Sequence, residues 1–141
     1  LERFLTIRNY RWRKEMTTIR TLIVDNNKVF RANLKKFLSA EPTIQIIGES
    51  QSGDEAIDQV NALSPDLVLM DIKMGETDGI KATRIIKSQN PEVLVIILTI
   101  YDEDLYRSQA AEAKASAYIL KEEIPDKLLQ TIRDNLPSAN H

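Results

Sequence analysis

Four short apolar runs in this chain each lead into residues that could do chemistry. Ile19–Val24 runs into Asp25-Asn26-Asn27, Leu67–Met70 into Asp71-Ile72-Lys73, Val93–Leu98 into Thr99, and Ala117–Leu120 into Lys121. Gathered on one rim, these positions supply two carboxylates, an amide, a hydroxyl and an ammonium. Carboxylate and amide oxygens suit a hard, oxygen-loving cation such as Mg2+ that keeps several waters. A hydroxyl and an ammonium beside them suit the oxygens of a phosphoryl group. Lys121 near Asp71 would hold that carboxylate ionised and available as a nucleophile. An aspartate can accept phosphoryl as an acyl phosphate. Together these are the parts of phosphoryl transfer to Asp71.

Each residue also has a structural explanation. Asp25 or Asn26 could cap the helix that follows the first run, and Thr99 could cap the fourth helix. An Asp after a strand is often a turn residue. Lys121 could be a solvated charge. Coincidence of all of these at the ends of runs one, three, four and five is the less economical account, and a common site is the expectation.

The elements that would position them follow from the pattern. Ile19–Val24, Ile44–Gly48, Leu67–Met70, Val93–Leu98 and Ala117–Leu120 read as strands. Most are continuous apolar runs, which means burial on both faces and a parallel sheet. The second, broken by Gln45, is the expected edge strand. Between them lie stripes at helical spacing: Val29, Phe30, Leu34, Phe37 and Leu38; Ala56, Ile57, Val60 and Leu63; Ile80, Thr83, Ile85 and Ile86. Leu105, Ala110 and Ala113 give a weak fourth helix, and Ile124, Leu128, Leu129 and Ile132 a fifth. Breakers stand between them at Pro42, Gly53, Pro65, Gly79 and Pro91, and Pro125 fits the first turn of the last helix. Alternating strands and helices with right-handed crossovers make an α/β three-layer fold. In such a sheet, sites lie outside the carboxyl ends of the strands.

Composition narrows the chemistry. The chain has 141 residues, the size of one domain, with a net charge of −2 and 43% hydrophobic residues. That balance exerts no global pull on nucleic acid or an acidic membrane. There is no cysteine, so disulfides, thiol catalysis and cysteine-ligated metals are excluded. The single histidine is His141, which argues against His-based triads and His-rich metal sites. No run of apolar residues is long enough for a membrane span, no signal peptide is visible, and a cytoplasmic location is expected. Residues 1–18 carry five basic against two acidic side chains, and the first methionine is Met16. This N-terminal extension is expected to be non-native sequence; the rival reading is a basic arm carrying Phe4, Leu5, Tyr10 and Trp12.

Beyond the extension, the sequence resembles the receiver domain of two-component response regulators, most closely the NarL/FixJ (LuxR-type) class. The resemblance covers residues 19–136, leaving 137–141 as a C-terminal tail. It rests on Leu22-Ile23-Val24-Asp25, on Pro65-Asp66 through Asp71-Ile72-Lys73-Met74, on Asp78-Gly79-Ile80, on Leu98-Thr99 and on Ala115-Ser116-Ala117-Tyr118-Ile119-Leu120-Lys121. Successive intervals of 46, 28 and 22 residues between Asp25, Asp71, Thr99 and Lys121 fit as well.

The resemblance implies a flavodoxin-like (βα)5 sandwich with strand order 2-1-3-4-5. It implies Asp71 as phosphoacceptor, with Asp25, Asn26, Asp71 and the Lys73 backbone carbonyl around Mg2+. Thr99 and Tyr118 are then the switch pair, and Lys121 the lysine that pairs with the phosphorylated aspartate. The implied function is a phosphoacceptor switch rather than a metabolic enzyme. It takes phosphoryl from a sensor histidine kinase, changes a partner or homodimer surface, and reaches DNA only through an effector domain beyond this chain.

Three positions depart from the family pattern. Asn26 replaces the second acid of the pair and should weaken attraction for a divalent cation; a charge at about 4 Å is worth up to roughly 4 kcal/mol before screening. Gly75 stands where proline is usual and should loosen the loop. Lys114 stands where glycine usually ends the fourth helix; if left-handed, it costs roughly 1–2 kcal/mol. Asn26 also supports the alternative of a phosphorylation-independent pseudo-receiver, an interaction module. Retention of Asp71, Thr99 and Lys121 argues against it. A flavin carrier on the same fold is disfavoured because Asp25 would repel a phosphate.

Overall fold

Leu67–Met70 is buried at every position, and it lies at the centre of the sheet for that reason. The computed structural model describes residues 18–74 and 78–136. Along them run β1 (Ile19–Val24), α1 (Lys28–Leu38), β2 (Ile44–Ser50), α2 (Gly53–Leu63), β3 (Leu67–Met70), α3 (Gly79–Gln89), β4 (Leu94–Thr99), α4 (Asp104–Glu112), β5 (Ala117–Leu120) and α5 (Ile124–Asn135). A 3-10 turn, Lys121–Glu123, leads from β5 into α5, where Pro125 occupies the first turn. All strands pair in parallel in the order β2-β1-β3-β4-β5. This is the flavodoxin-like (βα)5 sandwich, with β2 on an edge as expected. Thr21 pairs with Ile46 and Leu22 with Gly48, so Ile47 is an extra residue that bends this edge.

Successive side chains of a strand leave opposite faces, so the two faces carry separate cores. On one face Leu22, Val24, Val68, Met70, Val95 and Ile97 meet Ala56 and Val60 of α2, Ile80 and Ile86 of α3, and Ala110 of α4. On the other, Ile19, Ile23, Leu69 and Ile96 meet Leu34 and Leu38 of α1 and Leu128 and Ile132 of α5. Each fully buried aliphatic side chain contributes about 1.5–3 kcal/mol by leaving water. Asp25 and Asp71 follow Ile23 and Leu69 in the alternation and emerge toward α1 and α5. Thr99 follows Ile97 and continues the face of α2, α3 and α4.

Several expectations change. Val29 and Leu105 are not core residues: they are 69% and 63% exposed. Val29 sits in the first turn of α1, ahead of the stripe that reaches the sheet, and in α4 the inward apolar position belongs to Tyr106. Neither Asp25 nor Asn26 caps α1; Asn27 does, its Oδ1 accepting from the Phe30 N–H at 3.0 Å. Thr99 does not cap α4, whose N-cap is Glu103, without a side-chain cap bond. Lys114 is left-handed, with φ 72°, inside a closed helix end in which Ala115 N–H reaches Ala110 O and Lys114 N–H reaches Ala111 O. The Gly75 loop expectation, the 1–18 extension apart from Thr18, and the 137–141 tail lie outside the described residues.

Candidate functional site

The carboxyl ends of β1 and β3 are adjacent because the two strands pair from Thr21–Leu67 through Val24–Met70. The next residue of each is an aspartate, and Asp71 N–H donates to Val24 O at 3.0 Å. Asp25 is 1% exposed and Asp71 8%, so both carboxyls start from the edge of the core.

Asp25 is bonded at every polar atom. Its N–H donates to Ser50 O at 3.0 Å. Its Oδ1 accepts from Asn27 N–H at 2.8 Å, its Oδ2 from Lys121 Nζ at 2.7 Å, and its carbonyl from Arg31 Nη1 at 2.5 Å. Asp71 Oδ1 accepts from Ile72 N–H at 2.8 Å, and Oδ2 faces Lys121 Nζ at 3.8 Å. Lys121 therefore lies across both carboxylates, with its ammonium 4.0 Å from the centre of the Phe30 ring. Its shorter contact is to Asp25, not to Asp71.

Burial, and then the neighbouring Asp25 charge, push the Asp71 carboxyl up to about 6. Lys121 and the Ile72 amide pull it down, but by less. Two buried carboxylates side by side are an arrangement that a cation relieves, and the Lys121 ammonium takes that place here. Among the described residues no three His, Cys, Asp or Glu side chains converge. The oxygens suit a hard cation that retains waters, and Asp25, Asp71, the exposed Asn26 amide and the Lys73 carbonyl are the groups that could hold one. The Lys73 side chain leaves toward Tyr101 and Tyr106, its ammonium 5.1 and 5.4 Å from their ring centres. Only its backbone remains for such a role.

Thr99 is fully buried, and its Oγ1 accepts from Tyr101 N–H at 3.3 Å. Tyr118 donates its hydroxyl to Tyr101 O at 2.6 Å, under the Arg107 guanidinium at 4.6 Å. Burial pushes the Tyr118 hydroxyl up to about 12. The residues read as a switch pair thus meet at the backbone of one loop residue, Tyr101. The structure brings Asp25, Asp71 and Lys121 into one cluster and ties Thr99 to Tyr118 beside it.

Sequence reasoning missed Arg31 and Glu49, gave Tyr101 no role, and used Gly79 only as a breaker and as part of the Asp78-Gly79-Ile80 stretch. Arg31 and Lys35, one turn apart on α1, both hold Glu49 of β2, at 2.9 and 2.7 Å. The i,i+4 basic pair was visible; its partner 18 residues away from Arg31 was not. Gly79 N–H donates to Ile72 O at 2.6 Å, and a Cβ there would stand 2.8 Å from Asp71 C and closer still to Asp71 O. Asp78 caps α3 through the Lys81 N–H at 2.8 Å, so Asp78-Gly79 both starts the helix and lets it touch the Asp71 backbone.

A doubly wound sheet whose strand ends carry this acidic pair and lysine defines a class, and comparison with known proteins agrees. The family model of the response regulator receiver domain matches residues 21–133. This chain belongs to that family. It is 38% identical over 120 residues to the response regulator protein VraR of Staphylococcus aureus, covering 82% of this chain and 57% of that one. It is 33% identical over 115 residues to the transcriptional regulatory protein DegU of Brevibacillus brevis, covering 82% and 49%. The chain thus spans about half the length of these curated relatives. Among solved structures it is similar to a LuxR-family two-component response regulator from Aurantimonas sp. SI85-9A1, with TM-score 0.79, 28% identity, and 83% and 84% of the chains covered. It is also similar to the response regulator domain of Thermotoga maritima CheB, with TM-score 0.78, 27% identity, and 85% and 98% covered. Receiver domains of this family are signalling modules, and the relatives include transcription regulators. No helix of the described residues is long and apolar enough to cross a membrane.

Proposed function

We propose that this domain is a phosphoacceptor switch with Asp71 as the acceptor. The observation that carries the reading is the Lys121 ammonium lying across Asp25 and Asp71, at 2.7 and 3.8 Å, with residues 96 apart in sequence drawn together. One Asp71 oxygen forms a P–O bond while the donor's bond to phosphorus breaks, leaving an acyl phosphate. The donor in this reading is a phosphohistidine of a sensor kinase, and the location is cytoplasmic. Lys121 is free to exchange Asp25 for the new phosphoryl oxygens. A bound Mg2+ would supply positive charge to those oxygens. Asp25, Asp71, the Asn26 amide and the Lys73 carbonyl would hold it.

Output follows from the Tyr101 junction. A Thr99 hydroxyl drawn toward the phosphoryl group gives up its bond from Tyr101 N–H, and Tyr118 is bonded to the same residue. Movement passes to the face of α4, β5 and α5. Ala110 is the only residue of α4 that is fully buried, so the helix shifts at little cost. A second copy of the domain or an effector domain would read that face, and DNA would be reached only through such an effector. Residues 19–136 are the signalling unit in this reading.

Acetyl phosphate with Mg2+ should add one phosphoryl to the wild type by intact mass and none to Asp71→Asn. Phosphorylated Thr99→Ala should keep the added mass and lose the change in sedimentation. A folded wild type that stays unmodified at millimolar donor would establish the pseudo-receiver instead, the reading favoured by Asn26. Asn26→Asp restores a carboxylate beside Asp25 and should tighten Mg2+ binding about tenfold in calorimetry. Unchanged affinity would mean that residue 26 does not face the metal.

A further inference from the structure

The β1–α1 turn carries two of the proposed cation ligands, Asp25 and Asn26, and something must hold it. The Asn27 cap fixes its helix end, and the Asp25 N–H bond to Ser50 fixes its strand end. The Asp25 carbonyl lies between these anchors. It accepts from Arg31 Nη1 at 2.5 Å. The same guanidinium donates from Nε to Glu49 Oε1 at 2.9 Å. Glu49 is in turn held by Lys35 at 2.7 Å, and both cations lower its carboxyl below the usual range, Lys35 more than Arg31. The Arg31 side chain is 14% exposed and that of Glu49 32%, so the guanidinium is largely out of water while its anchor is part-exposed. A rigid planar fork joins the turn to the neighbouring strand through two donors in fixed geometry.

We infer that Arg31 is a positioning residue for the cation site, holding the Asp25 turn against β2 through Glu49. The inference rests on the proposed function of the Asp25–Asp71 cluster. Arg31 touches none of the four proposed ligating groups except through the Asp25 backbone, so it acts by geometry. Its charge acts in the opposite sense. A guanidinium near a divalent cation repels it, and losing the charge alone would tighten Mg2+ binding. A positioning role predicts weaker binding when the fork is lost. The two roles separate cleanly in Arg31→Lys, which keeps the charge and loses the bridge.

Mg2+ affinity of folded wild type, Arg31→Lys and Arg31→Gln should be measured by calorimetry, with circular dichroism confirming the fold. The expected result is a dissociation constant about tenfold higher in Arg31→Lys, as found when groups supporting metal ligands are removed, and a smaller rise in Arg31→Gln, where losing the repelling charge partly offsets losing the bridge. With acetyl phosphate, the Mg2+ concentration for half-maximal phosphorylation should rise by the same factor. The maximal rate at saturating Mg2+ should stay near wild type. Unchanged affinity in Arg31→Lys, or tighter binding in Arg31→Gln, overturns the positioning role while leaving the site reading intact. A wild type that binds no Mg2+ overturns both. Should either variant fail to fold, Glu49→Ala, which leaves Arg31 in place and removes the acceptor that anchors it, is measured the same way. Equal Mg2+ affinity there is equally fatal to the inference.

Discussion

Gly79→Ala should destabilise the domain by more than about 3 kcal/mol, because the new methyl has nowhere to go. Its carbon would lie 2.8 Å from Asp71 C and would overlap Asp71 O outright. Both are backbone atoms of the segment that carries the proposed acceptor, so no side chain can swing aside. Either α3 withdraws from the sheet or the Asp71 backbone is displaced. Withdrawal would break the 2.6 Å Gly79–Ile72 bond and strip cover from Ile80 and Ile86, which are buried against the sheet. Displacement would move the acceptor away from Lys121. The thermal midpoint should fall by about 10 °C or more. Whatever protein remains folded should also accept less phosphoryl. A midpoint within about three degrees of wild type would show that α3 can shift without cost.

Asp71→Asn should do the reverse and stabilise the metal-free domain above pH 6. The sign follows from the raised carboxyl. In the unfolded chain an aspartate ionises near pH 4, whereas Asp71 in the fold ionises at about 6. Folding therefore favours the protonated form. The associated stability is fully present below about pH 4, is lost as pH rises through 6, and stays lost above it. A rise of that size corresponds to about 3 kcal/mol at neutral pH. Asn keeps the shape without the charge. Urea denaturation of both proteins from about pH 4 to about pH 8 without divalent cations should give curves that converge at low pH and separate above 6. Comparing the two at each pH cancels the other carboxylates, such as Glu49, whose lowered values cost both proteins stability in acid. Mg2+ should narrow the gap by stabilising the wild type more than the variant, which lacks one ligand charge. Equal stability at about pH 8 would mean that Asp71 carries no burial cost.

The sheet was legible because burial on both faces leaves a mark that survives in one dimension. Leu67–Met70 and the core of Val93–Leu98 could be read as central strands from apolar content alone. The edge position of β2 followed from Gln45. Boundaries were less so: β2 runs on to Ser50 because pairing with Val24 continues, although Glu49 and Ser50 are not apolar. Three misreadings have two causes. Val29 and Leu105 fit an apolar stripe by spacing, but a first-turn residue can overhang the end of the sheet. Asn26 and Asn27 are equivalent as cap residues in sequence; the cap falls on Asn27 because Asp25 Oδ1 already turns the chain at the Asn27 N–H.

Residue type and order were enough to place Asp25, Asp71, Thr99 and Lys121 at strand ends, because strands announce themselves through burial and the next residue is then at the rim. Which partner each takes is a different kind of information. It depends on distances between segments that are far apart in the chain and close only when packed. Lys121 lies nearer Asp25 than Asp71, at 2.7 against 3.8 Å. Thr99 and Tyr118 meet at the Tyr101 backbone, and Arg31 grips the Asp25 carbonyl through an anchor on β2. Composition is silent on such pairings because a hydrogen bond needs about 3 Å and a direction. The Asp71 carboxyl is raised for the same reason. Its charge is set by what surrounds it, and the surroundings of a buried group exist only once the sheet and its helices have closed around it.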